Sequence, residues 1–394
     1  MNNNENKYFL IHFGEIILKW KNRKFFENKL IENLKTKLWS HLLDYKKEFW
    51  KLILFWEEKS IEKALNTTFW IKNRSKCFIL DFKHPQLDEI LLKQIIEIIK
   101  NNLNLKQTNT IKIETKRSNK NFQPNSVEIN KIIASTLLKE FPHLKIDLKN
   151  AEKTIYIEIW QRQIYIYFEK HLWLWWLPVW TSGKWIVLLS WWIDSPVASY
   201  LMNKRWMKLI FFHAYNQRGD KNGKIKEKII KLVKKLSEYN LESTLYLIPM
   251  CPIIDQIIEK TPPKWRILVF KRSIVRIANQ IADKEKALAI ISGDNLAQVA
   301  SQTLENINTI YKVSKYPILP PLIWFDKDEI INLSKKIGTY DISIIPAEDL
   351  CSRIAHKHPI TKASEEKIKK IDTIKIPDIE NINYEKLIIA PNSK

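Results

Sequence analysis

Apolar and polar positions change their period several times along the first 170 residues. Residues 8–13 form a short apolar run that predicts a strand, and Phe25, Phe26, Leu30, Leu34 and Leu38 recur behind it at helical spacing. A second strand is expected near residues 49–55 and a short helix near 61–65. Helical patterns at 87–101 and 126–139 then mix with strand patterns at 110–114, 154–159 and 164–168, which reads as small α+β units. From Trp185 the rhythm becomes regular. Strands at 186–189, 209–213, 244–248 and 287–291 alternate with helices at 197–204, 225–237, 267–283 and 296–311. This alternation predicts an α/β, doubly wound parallel sheet with ligands at the carboxyl ends of its strands. The expected divisions are 1–72, 73–170, a linker loop over 171–184, and 185–394.

Composition changes the picture at one place. The chain has 6 glycines and 16 tryptophans in 394 residues, against a usual glycine share of about 7%. The two counts together approach ordinary glycine usage. Tryptophans also stand where backbone freedom is wanted: Trp173, Trp175, Trp176 and Trp180 crowd around Pro178, and Trp20 lies between Lys19 and Lys21. Ser190-Trp191-Trp192-Ile193-Asp194-Ser195-Pro196 follows an apolar run and precedes a helical pattern. Strand, polar turn and helix is where a phosphate sits, on turn N–H groups and the helix dipole. Such a turn calls for glycine, so that backbone can approach the anion. With glycine at 191 and 192 the stretch resembles the pyrophosphate loop of the adenylating ATP pyrophosphatases. The expectation is therefore a gene that uses UGA for glycine, translated as if UGA meant tryptophan. A truly tryptophan-rich protein is the rival reading.

Lys and Arg number 65 against 43 Asp and Glu, a formal net charge of +22. Charge spread along the whole chain points to a polyanion, nucleic acid first and membrane surface second. Cys77, Cys251 and Cys351 give neither a secreted disulfide framework nor zinc spacing. The polar start, Met1 to Lys7, has no apolar signal core, so the cytoplasm is expected. Residues 172–193 carry little charge, but Pro178, Thr181-Ser182-Gly183 and Lys184 break the run. A loop followed by one buried strand is expected there, and no membrane partner.

The phosphate turn supplies candidate roles. Positions 191 and 192, as glycine, offer backbone N–H groups; Ser190 and Ser195 offer hydroxyls. Ser195 can cap the following helix with Pro196 in its first turn, and Asp194 can hold Mg²⁺. An ordinary helix cap is the bland alternative. A second strand–turn–helix cluster spans 291–304, where Gln298 and Gln302, four apart, would share a helix face; a solvated helix start explains it about as well. Cys351 lies near Arg353, His356, Lys357 and His358, cations that can lower a thiol pKa and expose a nucleophilic thiolate. Its plain alternative is a small buried residue, which is the reading for Cys77 and Cys251.

Nearly the whole chain resembles the tRNA 4-thiouridine synthases (ThiI). The resemblance rests on Phe13 to Arg23, Lys116-Arg117-Ser118, Leu177 to Lys184, the phosphate loop, Gly293 to Leu304, Ile337-Gly338-Thr339-Tyr340 and Lys357-His358-Pro359. In that family Trp20, Trp70, Trp175, Trp176, Trp180, Trp191, Trp192 and Trp206 would be glycine. The resemblance implies an N-terminal ferredoxin-like domain, a THUMP domain that binds tRNA, and a C-terminal ATP-pyrophosphatase domain. It implies adenylation of the uridine at tRNA position 8, then sulfur delivery to the activated carbon. Family ATP contacts fall on Leu188, Leu189, His213, Ala214, Lys271, Gly293 and Gln302, with Lys327 a catalytic cation and Cys351 the catalytic cysteine. Ala214 stands where an aromatic is usual, so base packing is expected to differ. Only 43 residues follow Cys351, too few for the rhodanese domain of some members, so sulfur is expected from a cysteine desulfurase. The sulfur-carrier protein of thiamine thiazole synthesis is a further expected partner, and a homodimer is left open. The alternatives are a catalytically inactive tRNA-binding THUMP protein and another adenylating tRNA-modification enzyme.

Overall fold

Four strands open the fold: β1 (Tyr8–Phe13), β2 (Leu42–Glu48), β3 (Lys51–Trp56) and β4 (Ile71–Asp81). The computed structural model describes residues 8–13, 21–38, 42–48, 51–56, 71–172, 183–205, 207–220, 222–346 and 353–391. The expected helix at 61–65 and Cys351 lie outside them. The chain divides into two units, 1–175 and 176–394.

In the first unit β1 to β4 join β5 (Thr110–Arg117), β6 (Lys145–Ile146), β7 (Lys153–Trp160) and β8 (Gln163–Tyr167) in one sheet of order β2-β3-β1-β4-β8-β7-β5-β6. A short β9 (His171–Leu172) pairs with β4, so the expected linker begins inside the sheet. The strand pattern missed β2 and β4. Asp44, Lys46 and Lys47 leave β2 exposed along much of its length, while β4 carries Arg74 and Ser75, polar yet buried. Pairing with β3 in one case and with β1 in the other, not alternation, makes them strands.

Helices α1 (Arg23–Leu38), α2 (Glu89–Asn102) and α3 (Ser126–Glu140) belong to this unit. In α1 the expected stripe buries Leu30 and Leu34 but leaves Phe25 58% exposed. Asp88 caps α2, and Asn125 with Glu128 forms a reciprocal capping box on α3. Ile95, Ile99, Ile133 and Leu137 pack on Ile111, Ile113, Ile155 and Ile157 of the sheet. Each such side chain contributes about 1.5–3 kcal/mol when fully buried. Glu158, on β7, is buried, and His12 Nε2 of β1 (3.0 Å), Lys51 Nζ of β3 and the Tyr167 hydroxyl of β8 (2.6 Å) meet its carboxylate. A buried acid needs such partners to stay ionised.

In the second unit the alternation holds. β10 (Lys184–Leu188), β11 (Lys208–Tyr215), β12 (Ser243–Pro249), β13 (Ala289–Ile291) and β14 (Ile318–Leu319) are parallel, and β15 (Glu385–Ile389) closes the edge antiparallel to β12. Their order is β14-β13-β10-β11-β12-β15. The chain runs outward from β10 to β12, then returns to the other side of β10, so the switch point lies between β10 and β13. Ligands bind at such a point in open α/β sheets. The helices are α4 (Asp194–Asn203), α5 (Lys224–Asn240), α6 (Cys251–Lys260), α7 (Arg266–Glu285), α8 (Leu304–Tyr311), α9 (Lys327–Lys336), α10 (Tyr340–Ser343) and α11 (Glu365–Ile371). No helix among the described residues is long and apolar enough to cross a membrane.

Two local expectations fail here. The expected helix at 296–311 begins only at Leu304, because Thr303 is its N-cap and Ala297 has φ +61°. A left-handed residue cannot continue a right-handed helix. Gln298 and Gln302 therefore do not share a helix face; a turn and a short 3₁₀ segment carry them. Ser195 does not cap α4 either. Ile193 holds the cap position, and the Ser195 hydroxyl turns back to Ser190, 2.8 Å from its backbone nitrogen.

Candidate active site

The Ser190 to Ser195 turn follows β10, and the Ser292 to Gln302 turn follows β13, so both open at the switch point. Between them lies a cavity of about 280 Å³. Every ATP contact expected from sequence lines it: Leu188, Leu189, Ser190, Trp191, Trp192, Ser195, His213, Ala214, Lys271, Gly293 and Gln302. Asp194 lines it too, and Lys327, in the first turn of α9, holds the Asp194 carboxylate at 2.8 and 3.1 Å from outside the lining. Gly293 touches the phosphate turn directly. A methyl group there would meet Ser195 Cα and N at 2.9 Å, a contact that backbone cannot relieve by changing rotamer.

Serines hold the turn's shape. The Ser190 and Ser195 hydroxyls are 2.9 Å apart, and Trp192 N–H donates to Ser190 Oγ at 3.3 Å. Neither Trp191 nor Trp192 has a positive φ. Backbone angle therefore does not call for glycine at these positions; the expectation of glycine there rests on room alone. The two indoles meet edge to face at 5.3 Å between centroids, and both stand in the cavity wall where an anion would be cradled.

The opposite wall is charged and ordered. Asp294 Oδ1 accepts from Lys271 Nζ (3.0 Å) and Gln302 Nε2 (3.2 Å), and Oδ2 accepts from the Ser292 (2.8 Å) and Tyr311 (2.9 Å) hydroxyls. Burial alone would raise its pKa, but the Lys271 ammonium and these hydrogen bonds outweigh it and hold the carboxyl at about 2. Burial pushes His213 down to about 4, so the imidazole is neutral at pH 7. Nδ1 lies 2.8 Å from the Leu189 carbonyl and must donate to it, which leaves Nε2 an acceptor. His213 Nε2 and Gln302 Oε1 are buried without a partner among the described residues. Two orphan acceptors beside apolar Leu188, Phe270 and Ile274 suit a flat base with an exocyclic amine.

Sequence reading missed Asp294, Ser292 and Tyr311 as a unit. The available signal was Asp294 directly after Gly293 in a strand–turn segment, overshadowed by the two glutamines. Cys251 is buried, and its Sγ lies 3.1 Å from Asn216 Oδ1; Cys77 is buried in β4, where burial pushes its thiol far up. The Cys77 thiol is therefore not a reactive thiolate. The described residues hold no cluster of three or more metal-ligating side chains. Asp194 and Asp294 are the two carboxylates lining the cavity, each paired with a lysine, Lys327 and Lys271, so a Mg²⁺ at Asp194 would have to be carried largely by substrate phosphates.

A phosphate turn at the switch point, an apolar base pocket and a cationic wall define a nucleotide-binding unit of the ATP-pyrophosphatase class. Residues 180–375 match the family described as thiamine biosynthesis protein (ThiI), 86–169 the THUMP domain and 8–73 the ThiI ferredoxin-like domain. The probable tRNA sulfurtransferase of Thermoanaerobacter pseudethanolicus is 36% identical over 96% of each chain, and that of Mycoplasmopsis synoviae 35% over 98% of each. A solved 4-thiouridine synthetase–RNA complex with bound ATP matches with TM-score 0.87 at 29% identity, covering 98% of this chain and all of that one. PH1313 from Pyrococcus horikoshii shares the fold at 19% identity, TM-score 0.61 and 84% of this chain. The chain belongs to the tRNA sulfurtransferase family.

Proposed function

We propose that the protein is an ATP-dependent tRNA uracil 4-sulfurtransferase that makes 4-thiouridine at tRNA position 8, with glycine at 191 and 192. The observation that carries this reading is the convergence of the Ser190 to Ser195 turn, Gly293 and the orphan acceptors of His213 and Gln302 on one cavity. ATP places its base among Leu188, Ala214 and Phe270, and its phosphates against the turn N–H groups at the start of α4. Lys271 and Lys327 supply positive charge at the two sides of the cavity. The uracil oxygen attacks the α-phosphorus and pyrophosphate leaves. The outer sulfur of a persulfide then attacks the uracil carbon and AMP leaves. A second thiol cleaves the S–S bond to free the thione, with Cys351 as either the persulfide carrier or that resolving thiol, and the disulfide formed is reduced by an external thiol. Asp194 would hold Mg²⁺, which balances phosphate charge during adenylyl transfer.

The 1–72 and 73–170 segments are the tRNA-binding ferredoxin-like and THUMP domains of this reading, and 185–394 is the adenylating domain. Sulfur comes from a cysteine desulfurase in the cytoplasm. Delivery to the sulfur-carrier protein of thiamine thiazole synthesis and a homodimeric state belong to the same proposal. A literal Trp191-Trp192 pair favours the second reading, an inactive tRNA-binding protein, because indoles occupy the anion's place.

Separating the two half-reactions tests the assignment. Cys351→Ser should keep tRNA-dependent pyrophosphate release yet form no 4-thiouridine from a persulfide-loaded desulfurase. Asp194→Ala should lose both. Normal thiolation by Cys351→Ser would show that sulfur passes directly from donor to tRNA.

A further inference from the structure

The sheet of the first unit is joined at β4. Residues 71–77 of that strand pair with β1, and residues 78–81 pair with β8. β1 and β3 lie within the ferredoxin-like match, β7 and β8 within the THUMP match. Two strands separate β1 from β7, and three separate β3 from β7. In a flat sheet those distances would be about 14 and 19 Å, too far for side chains to meet. Yet His12 Nε2 of β1 lies 3.0 Å from the Glu158 carboxylate of β7, and Lys51 Nζ of β3 meets the same carboxylate. The sheet therefore folds over at β4 and closes on Glu158.

Two kinds of contact fill this fold. Leu10, Ile53, Cys77, Tyr165 and Tyr167 form an apolar cluster drawn from β1, β3, β4 and β8. Apolar burial supplies adhesion but has no direction. The polar contact has one. Glu158 accepts from His12, Lys51 and the Tyr167 hydroxyl, and Lys51 Nζ also lies 4.7 Å from the centroid of the Tyr165 ring. His12 Nδ1 is buried with no partner among the described residues, so Glu158 is the polar anchor of that ring. Burial opposes ionisation of Glu158, but His12 and Lys51 outweigh it and hold the carboxyl well below the usual carboxylate range. A buried ion pair often adds nothing to stability over well-packed apolar side chains, whereas displacing one partner leaves a charge buried and unpaired.

We infer that Glu158 is a positioning residue for tRNA: through His12 and Lys51 it sets the ferredoxin-like half against the THUMP half, so that both meet one tRNA in a fixed arrangement. This rests on the tRNA reading given above. Two modules held in the bound arrangement bind more tightly than the same modules loosely joined, with no added contact. Glu158 itself touches no RNA in this role.

His12→Leu, Lys51→Met, Glu158→Leu and Tyr167→Phe together replace the polar set by apolar side chains of similar size. The formal charge is unchanged, because Lys51 and Glu158 leave together, so general attraction to RNA is kept. Urea unfolding of the full chain should keep or raise the parent's midpoints. The tRNA dissociation constant, from filter binding, should rise by about tenfold as part of the gain from joining two modules is lost. Glu158→Gln alone should show the same weakening together with a lower midpoint, since Lys51 is left buried and unpaired. Unchanged tRNA affinity in the fourfold variant would overturn the inference. Weaker binding that appears only with a lower midpoint would overturn it equally, making Glu158 a residue of stability alone. A parent chain that binds tRNA no more tightly than unfolded RNA of equal length would instead sink the tRNA reading.

Discussion

Asp294→Asn removes one negative charge from the cavity wall and leaves the side chain's size unchanged. The carboxyl is held at about 2 against an ordinary 3.8. At about 1.4 kcal/mol per tenfold change in proton affinity, the ionised form contributes about 2 kcal/mol to folding at neutral pH. Its folded pKa is depressed, so that stability is present above pH 3.8 and is lost as pH falls through about 2. At pH 3 about half should remain. The amide also presents a donor where Lys271, Gln302, Ser292 and Tyr311 all donate, which leaves one of those groups unsatisfied at a further cost of about 1–3 kcal/mol. Urea unfolding at pH 7 should show Asp294→Asn less stable by about 3 kcal/mol, or several degrees in Tm for a unit of this size. The gap should shrink by about 1 kcal/mol at pH 3. Lys271 and Gln302 lose their anchor, so KM for ATP should rise about tenfold. A stability gap independent of pH would refute the charge argument. An unchanged KM beside the expected stability loss would show that Asp294 does not order the ATP wall.

The codons for Trp191, Trp192, Trp175 and Trp176 should be UGA, and peptide mass spectrometry of the native protein should find glycine there; UGG at 191 or 192 would end the recoding proposal. The literal tryptophan chain should bind ATP far more weakly than the Trp191→Gly, Trp192→Gly chain in isothermal titration. Gly293→Ala should cost about 1–3 kcal/mol by overpacking against Ser195 and weaken ATP binding, since its β-carbon would lie 2.9 Å from that backbone. A chain of charge +22 should lose tRNA affinity steeply with salt, because each neutralised phosphate releases counterions. A flat salt dependence in filter binding would contradict phosphate-led recognition.

Much of the site was legible as sequence because it is local. The Ser190 to Ser195 turn is six consecutive residues that run from just after β10 into the first turn of α4, and Gly293 follows its strand by two residues. The parallel sheet was legible because its strands, buried on both faces, read as continuous apolar runs, as in β12. The glycine deficit showed in composition alone. Contacts between distant segments were not legible. Lys327 meets Asp194 across 133 positions and Lys228 meets Ile345 across 117, and nothing in either neighbourhood marks the pairing. β4 escaped detection because its polar residues are buried by β1 and β8, partners far from it in sequence. The false helix start at 296 arose because periodicity counts apolar positions but cannot see Ala297 at φ +61°, a conformation imposed where its N–H donates to the Gln302 carbonyl. Periodicity and motif marked the class of chemistry; the parallel pairing of β10 with β13 at the switch point brought the two turns together, because only packing brings side chains from distant loops to within hydrogen-bond reach.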